Sequence, residues 1–321
     1  MPPFANVSDQ DTDQDSVCGL KQSTVTLLGA LSMLAMAASV SFYVFGLESA
    51  LGLHGVAAGD FDVFHTVGVL AQDGRLTEAY SHEAFLAAQS ELNGTVHDMT
   101  WTYPPVFNLL LLPLADLSRP AAYLVFVGIG LALYLFGIRL LAGRYFGLAL
   151  LAALPPVMMS LRTGQNGCLT AALIGFACYF LLRARPVWAG VPLGLMVIKP
   201  HIGVGLGVWL LFRRAWGGLA VALVTVIVAS AAATVAFGPS IWAAFLSATG
   251  EASSYLGDAR YPTFRLTSLY AALTSFGAAP SLAVLLHLAA AALAVLAIAF
   301  SALRFEPRAG LAATLFLTVL L

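Results

Sequence analysis

Apolar runs separated by short polar turns account for most of this chain. A membrane-spanning helix needs roughly 20 mostly apolar residues, with a range of about 17 to 25. Runs that read as spans lie at 24–47, 120–141, 146–161, 167–183, 187–198, 200–212, 217–237, 281–303 and 309–321. Two shorter runs, 104–116 and 266–278, are not placed by length alone. Basic residues decide them, because Lys and Arg concentrate in cytoplasmic loops. If neither short run crosses, the pairs Arg139/Arg144, Arg183/Arg185, Arg213/Arg214 and Arg304/Arg308 all fall on one side with Lys21. If 104–116 crosses, three of the four pairs move to the face opposite Lys21. The pattern therefore predicts that both short runs are juxtamembrane or re-entrant helices on the outer side, and that the basic side is cytoplasmic.

Composition sharpens the class. The chain is 60% hydrophobic and only 10% charged, with a mean hydropathy of +0.88, whereas a soluble domain carries about 25% charged residues. This is an all-α polytopic membrane protein. A net charge of −1 excludes a basic nucleic-acid surface. Cys18, Cys168 and Cys178 have no ligand-like spacing, so neither a zinc site nor a disulfide framework is expected. Residues 1–22 carry Asp9, Asp11, Asp13 and Asp15 and read as a disordered acidic cytoplasmic tail rather than a cleaved signal peptide. Residues 23–321 form the membrane domain, and the apolar run at the C-terminus reads as the cut edge of a longer chain.

With this topology 48–119, 162–166, 199–201 and 238–265 share the outer face, and so do 11 of the 16 acids, from Glu48 to Asp258. Runs 187–198 and 200–212 are too short to cross alone, which places Lys199-Pro200-His201 at the floor of an outer cavity. A lysine at membrane depth costs about 2.5–3.5 kcal/mol on insertion scales and usually pairs or lines a pathway. Lys199 is thus a candidate phosphate ligand, with His201 beside it; a snorkelling lysine is the plainer reading. Asp60 and Asp62 follow the first apolar run. Their spacing points them to nearly opposite sides of a helix, so only one need face a cavity, and Asp60 is read as the working acid. A solvated carboxylate and a weak divalent-ion pair are the other readings, and no metal site is assigned. Trp101 and Tyr103, ahead of Pro104-Pro105, fit an interfacial belt or a wall for a sugar ring. Arg162-Thr163-Gly164-Gln165-Asn166-Gly167 is either a tight turn or a donor-rich cluster in which Arg162, Gln165 and Asn166 bind hydroxyls or anions. The segment 238–265 reads mostly as a solvated loop whose Arg260 or Arg265 meets a phosphate.

The ordered set Gly59-Asp60-Phe61 with Phe64, Tyr103-Pro104-Pro105, Gly164-Gln165-Asn166-Gly167 and Lys199-Pro200 resembles glycosyltransferase family 87. The resemblance implies a bacterial GT-C-like bundle with a long first outer loop, similar to the polyprenyl-phosphate-mannose-dependent mannosyltransferases. It implies an enzyme of the bacterial plasma membrane, with its site on the outer side. That enzyme would move a hexose or pentose from a polyprenyl phosphate donor to a glycan or glycolipid acceptor, with the lipid-linked donor as substrate and no cofactor. By the same resemblance Asp60 is the general base. Asp62 departs from the pattern as a second acid, His201 stands in place of an expected glutamine, and the helix count falls short. The alternative is a transporter or flippase of envelope precursors. Transporters place polar residues near the midplane in corresponding halves, whereas here they gather on one face without an internal repeat.

Overall fold

The computed structural model describes residues 16, 17, 20–42, 59–94, 96–257 and 268–321. Helices dominate these residues because a bilayer offers no water to backbone N–H and C=O groups, which each helix satisfies internally. The order begins with α1 (Gln22–Ser41), then α2 (Gly59–Gln72), α3 (Leu76–Ala79), α4 (His82–Asn93) and α5 (Pro105–Leu111) in the polar segment. An apolar series follows: α6 (Arg119–Ala142), α7 (Phe146–Thr163), α8 (Gly167–Leu182), α9 (Pro186–Leu195), α10 (Pro200–Phe212) and α11 (Trp216–Phe237). The last helices are α12 (Ser240–Gly257), α13 (Leu269–Ser275), α14 (Pro280–Arg304) and α15 (Pro307–Thr318). Within the expected N-terminal tail, Ser16–Val17 pairs antiparallel with Leu20–Lys21.

Among the described residues, four stretches have the length and apolarity to cross a membrane: 22–40, 119–163, 216–237 and 280–304. The second is two helices, α6 and α7, separated at Gly143, whose φ of 52° ends α6. The described parts of the two short runs form short helices. α5 and the 3₁₀ turn Leu112–Leu114 that continues it make ten residues, roughly 16 Å of rise against a hydrocarbon core of about 30 Å. α13 has seven residues and is shorter still. Neither crosses alone.

Strict alternation of α6 to α11, followed by α14, then sets the basic turns at one end. Two contacts fix that end: Gln22 Nε2 donates to the Arg144 carbonyl at 2.6 Å, and an Arg213 guanidinium N–H donates to the Phe305 carbonyl at 3.3 Å. The α7–α8 turn and the α9–α10 junction lie at the opposite end. At that junction α9 tightens into the 3₁₀ turn Met196–Ile198, and Pro200 opens α10, where its missing N–H costs nothing. Between the apolar helices, small residues bring backbones together. A Cβ at Gly190 would sit 2.4 Å from the Gly218 carbonyl oxygen, and one at Gly194 would sit 2.5 Å from that of Ala222. This Gly-x-x-x-Gly spacing gives α9 and α11 the close approach typical of packed membrane helices.

The segment 238–265, expected as a loop, starts instead with α12. Ile241 and Ala248 are buried, and Phe245 sets an edge against Tyr80 at 6.1 Å. The spacing of these three residues is that of one helix face, which the many Ser, Thr and Gly residues elsewhere in α12 disguise.

The best-packed region lies in the polar segment. α2 buries Phe61, Val63, Phe64, Val67 and Leu70 almost completely. The Phe64 ring meets Trp101, Tyr103, Phe107 and Phe126 edge-on at centroid distances of 5.3–5.8 Å, the geometry aromatic quadrupoles favour. Phe61 fills the space beside Gly164, where an added Cβ would lie 2.4 Å from the Phe61 Cβ. Gly164 also has φ +68°, a conformation that strains any residue with a Cβ.

Gly164→Ala should therefore destabilise the protein by at least about 1–3 kcal/mol, read as a drop in thermal midpoint in detergent. Gly128→Ala, where a Cβ meets open space within a helix, is the control. Equal midpoints would show that α2 does not depend on that seat.

Candidate active site

Asp60 occupies the first turn of α2, where a carboxylate is favoured by the helix dipole. Its Oδ2 accepts a hydrogen bond from Gln165 Nε2 at 3.0 Å. Gln165 leaves α7 through a closed cap: the Gly164 N–H bonds the Leu161 carbonyl and the Gln165 N–H bonds the Ser160 carbonyl. Gln165 Oε1 accepts from the Tyr103 hydroxyl at 3.2 Å and from the Asn166 N–H at 3.3 Å. The amide is thereby oriented, nitrogen toward the acid and oxygen toward the phenol. Lys199 Nζ lies over the Tyr103 ring, 5.3 Å from its centroid, a placement that compensates part of the cost of a half-buried ammonium. Asp60 is the acid whose charge acts on Lys199. Residues from α2, the 96–104 segment, the α7–α8 turn and the α9–α10 junction thus meet in one polar chain of contacts.

Tyr103 is held from behind by groups the sequence did not single out. Asn108 Nδ2 donates to the Tyr80 hydroxyl at 2.9 Å, and the Tyr80 hydroxyl donates to the Tyr103 carbonyl at 2.9 Å. Burial raises the Tyr80 hydroxyl well above its ordinary range, while the bond from Asn108 pulls the other way, so it stays a donor at neutral pH. The one available signal was Asn108 itself, a polar residue inside the apolar run 104–116. The 96–104 segment is clamped further along by Gln89, which accepts from the His97 N–H at 2.8 Å and donates to the His97 carbonyl at 3.2 Å.

The remaining expected site residues divide. Arg162 is exposed on the turn that carries Gln165, and His201 is exposed in the first turn of α10 beside Lys199. Asp62 does not share the cluster. It is buried on the other side of α2, its two oxygens 3.5 Å from His97 Nε2 and 3.5 Å from an Arg119 nitrogen. Trp101 is 2% exposed and packs on Phe64, Tyr103 and Phe107. Its place as a sugar wall is therefore corrected, because the ring braces Tyr103 from inside and has no open face. Asn166 is likewise buried. With Gln165, Ser160 and Cys168 it lines a void of about 10 Å³. Arg260 and Arg265 lie outside the described residues. Among the described residues no three His, Cys, Asp or Glu side chains converge as metal ligands do.

The model of glycosyltransferase family 87 matches residues 101–321. The chain belongs to that family. This family-87 protein is a membrane glycosyltransferase and acts between a sugar donor and an acceptor. Tyr103, Gln165 and Lys199 lie inside the matched region, and Asp60 precedes it, joined to it through Gln165. No curated protein and no solved structure matches the chain.

The two acids of α2 should separate in a stability measurement. Asp62→Asn removes the charge that faces a histidine and an arginine in a buried place and should lower stability by about 1–3 kcal/mol. Asp60→Asn, at the half-buried site, should change it by less than about 0.5 kcal/mol. Thermal melts of the two variants in one detergent check this, and a larger loss for Asp60→Asn would reverse the assignment of the two acids.

Proposed function

We propose that this family-87 enzyme transfers a hexose or pentose, mannose being the first to test, from a polyprenyl phosphate carrier to a hydroxyl of a glycan or glycolipid. The reaction takes place on the outer face of the bacterial plasma membrane. The observation that carries the reading is the convergence of Asp60, Gln165, Tyr103 and Lys199, an oriented carboxylate and a cation set against one another at a membrane face.

The chemistry assigns a role to each. The acceptor hydroxyl gives its proton to Asp60 as its oxygen attacks the anomeric carbon, and the bond from that carbon to the phosphate oxygen breaks. Gln165 engages Oδ2, and Oδ1 accepts from no described residue, which leaves it for the hydroxyl. The departing polyprenyl phosphate carries negative charge, which Lys199 and the exposed Arg162 neutralise. Because the ammonium rests over an aromatic face and Asp60 acts on it through space, a phosphate enters without first displacing a tight ion pair. Direct displacement inverts the anomeric centre. The apolar helices around α9 and α10 hold the lipid tail, and no cofactor takes part.

A positioned general base contributes about 10²- to 10⁴-fold in rate. In vesicles supplied with radiolabelled polyprenyl phosphate mannose, Asp60→Asn should lower release of free polyprenyl phosphate by that factor while labelled donor still binds. Unchanged turnover would remove Asp60 from the mechanism. A second measurement isolates the phosphate ligand, since Lys21 and Lys199 are the only lysines in the chain. In a Lys21→Arg protein, acylation by an amine-selective reagent is read on the peptide that carries Lys199, apart from the N-terminal amine. Polyprenyl phosphate should slow that acylation, whereas the matching polyprenyl alcohol should not, and equal protection by both would rule out a phosphate contact at Lys199.

A further inference from the structure

At the end of the bundle remote from Asp60, α6, α8 and α9 leave between them an almost wholly apolar groove of about 540 Å³. Leu173 and Leu195 lie toward the site end, and Tyr179, Phe180 and Trp188 toward the basic turns. The aromatic end is built, not merely vacant. Phe180 meets Tyr179 at 5.6 Å and Trp188 at 6.5 Å between ring centroids. Directly beyond it the chain turns through Arg183-Ala184-Arg185, with Ala184 at φ 53° and the Arg185 N–H bonded to the Phe180 carbonyl at 2.9 Å. Both arginines are exposed. Arg183 lays its guanidinium over the Tyr179 ring, 5.4 Å from the centroid, and no acid among the described residues pairs with either arginine.

A groove at bilayer depth whose mouth carries two cations asks for a molecule with an apolar chain and an anionic head. We propose that this groove binds one acyl chain of an anionic phospholipid from the leaflet on the basic side, with the lipid phosphate on Arg183 and Arg185. Geometry favours this over the tail of a donor bound at Lys199. Arg185 and Arg183 each stand three residues from the aromatic end of the groove. Trp188 lies 11 residues before Lys199, roughly 17 Å along the helix, and the Lys199 ammonium is held over Tyr103. Guanidinium groups bind phosphate in a forked, charge-assisted geometry. Basic pockets between membrane helices on this kind of face are suited to acidic head groups.

The test is native mass spectrometry of the purified full chain in detergent, titrated separately with phosphatidylglycerol, phosphatidylcholine and polyprenyl phosphate. Each surface arginine adds about a factor of five to acidic-lipid binding, so phosphatidylglycerol should bind the wild type roughly 30-fold more tightly than phosphatidylcholine. Arg183→Gln and Arg185→Gln should each cut that preference about fivefold at an unchanged thermal midpoint. Val191→Trp, at a lipid-exposed position that lines the groove, should abolish retention of phosphatidylglycerol while both arginines remain. Equal retention of the two phospholipids by the wild type overturns the proposal, and so does undiminished preference in both arginine variants. Competition in which polyprenyl phosphate displaces phosphatidylglycerol one for one also overturns it, by giving the groove to the donor tail.

Discussion

A helix that buries two phenylalanines completely has lost the freedom to rotate. α2 seats Phe61 beside Gly164 and Phe64 among four other rings, and fully burying one such side chain stabilises by about 1.5–3 kcal/mol. Turning the helix by one residue, about 100°, would expose both. The rotation that remains sends Asp60 to Gln165 and Asp62 to His97 and Arg119. Hydrophobic burial therefore settles the electrostatics. Two carboxylates two positions apart in one polar stretch acquire different surroundings because of the rings between and after them.

The membrane imposes the second constraint. A spanning helix needs roughly 20 residues, and neither α9 nor α10 reaches that length. Their junction must therefore sit inside the bundle's depth instead of in bulk water. A charged side chain there needs compensation, and Lys199 has it from the Tyr103 ring and from the field of Asp60. Tyr103 is in turn fixed through its carbonyl by Tyr80, which is fixed by Asn108. The cation is positioned by a chain of short-range contacts running back into the polar segment, and its own flexible stem need supply little of the order.

What the sequence made legible follows from the same physics. The apolar helices and the short length of the one in run 104–116 could be read because a bilayer penalises charge and unsatisfied backbone so heavily that apolar runs between arginine-bearing turns leave few alternatives to helix. Asp60, Gln165 and Lys199 stood out as polar groups where topology alone required none. Other features depend on partners distant in the chain. Nothing in the residue type separates Trp101 braced behind Tyr103 from a Trp lining a pocket, and nothing local joins Tyr80 to Asn108 or Asp62 to His97. α12 was hidden for a different reason: its buried face has only a few large residues, set among Ser, Thr and Gly that also suit a loop.

The family match starts at residue 101, while the acid at the candidate site is residue 60. What joins them is the α7–α8 turn. Gly164 in its left-handed conformation closes the cap of α7 and leaves room for Phe61, and the next residue is the glutamine that binds Asp60. A bulkier residue at 164 would push α2 outward and, by the same displacement, separate the carboxylate from its amide partner. Packing and the chemistry assigned to the site thus depend on one backbone conformation. This gives a physical reason for the glycine to stand immediately before Gln165: the turn that admits α2 is also the turn that aims the amide.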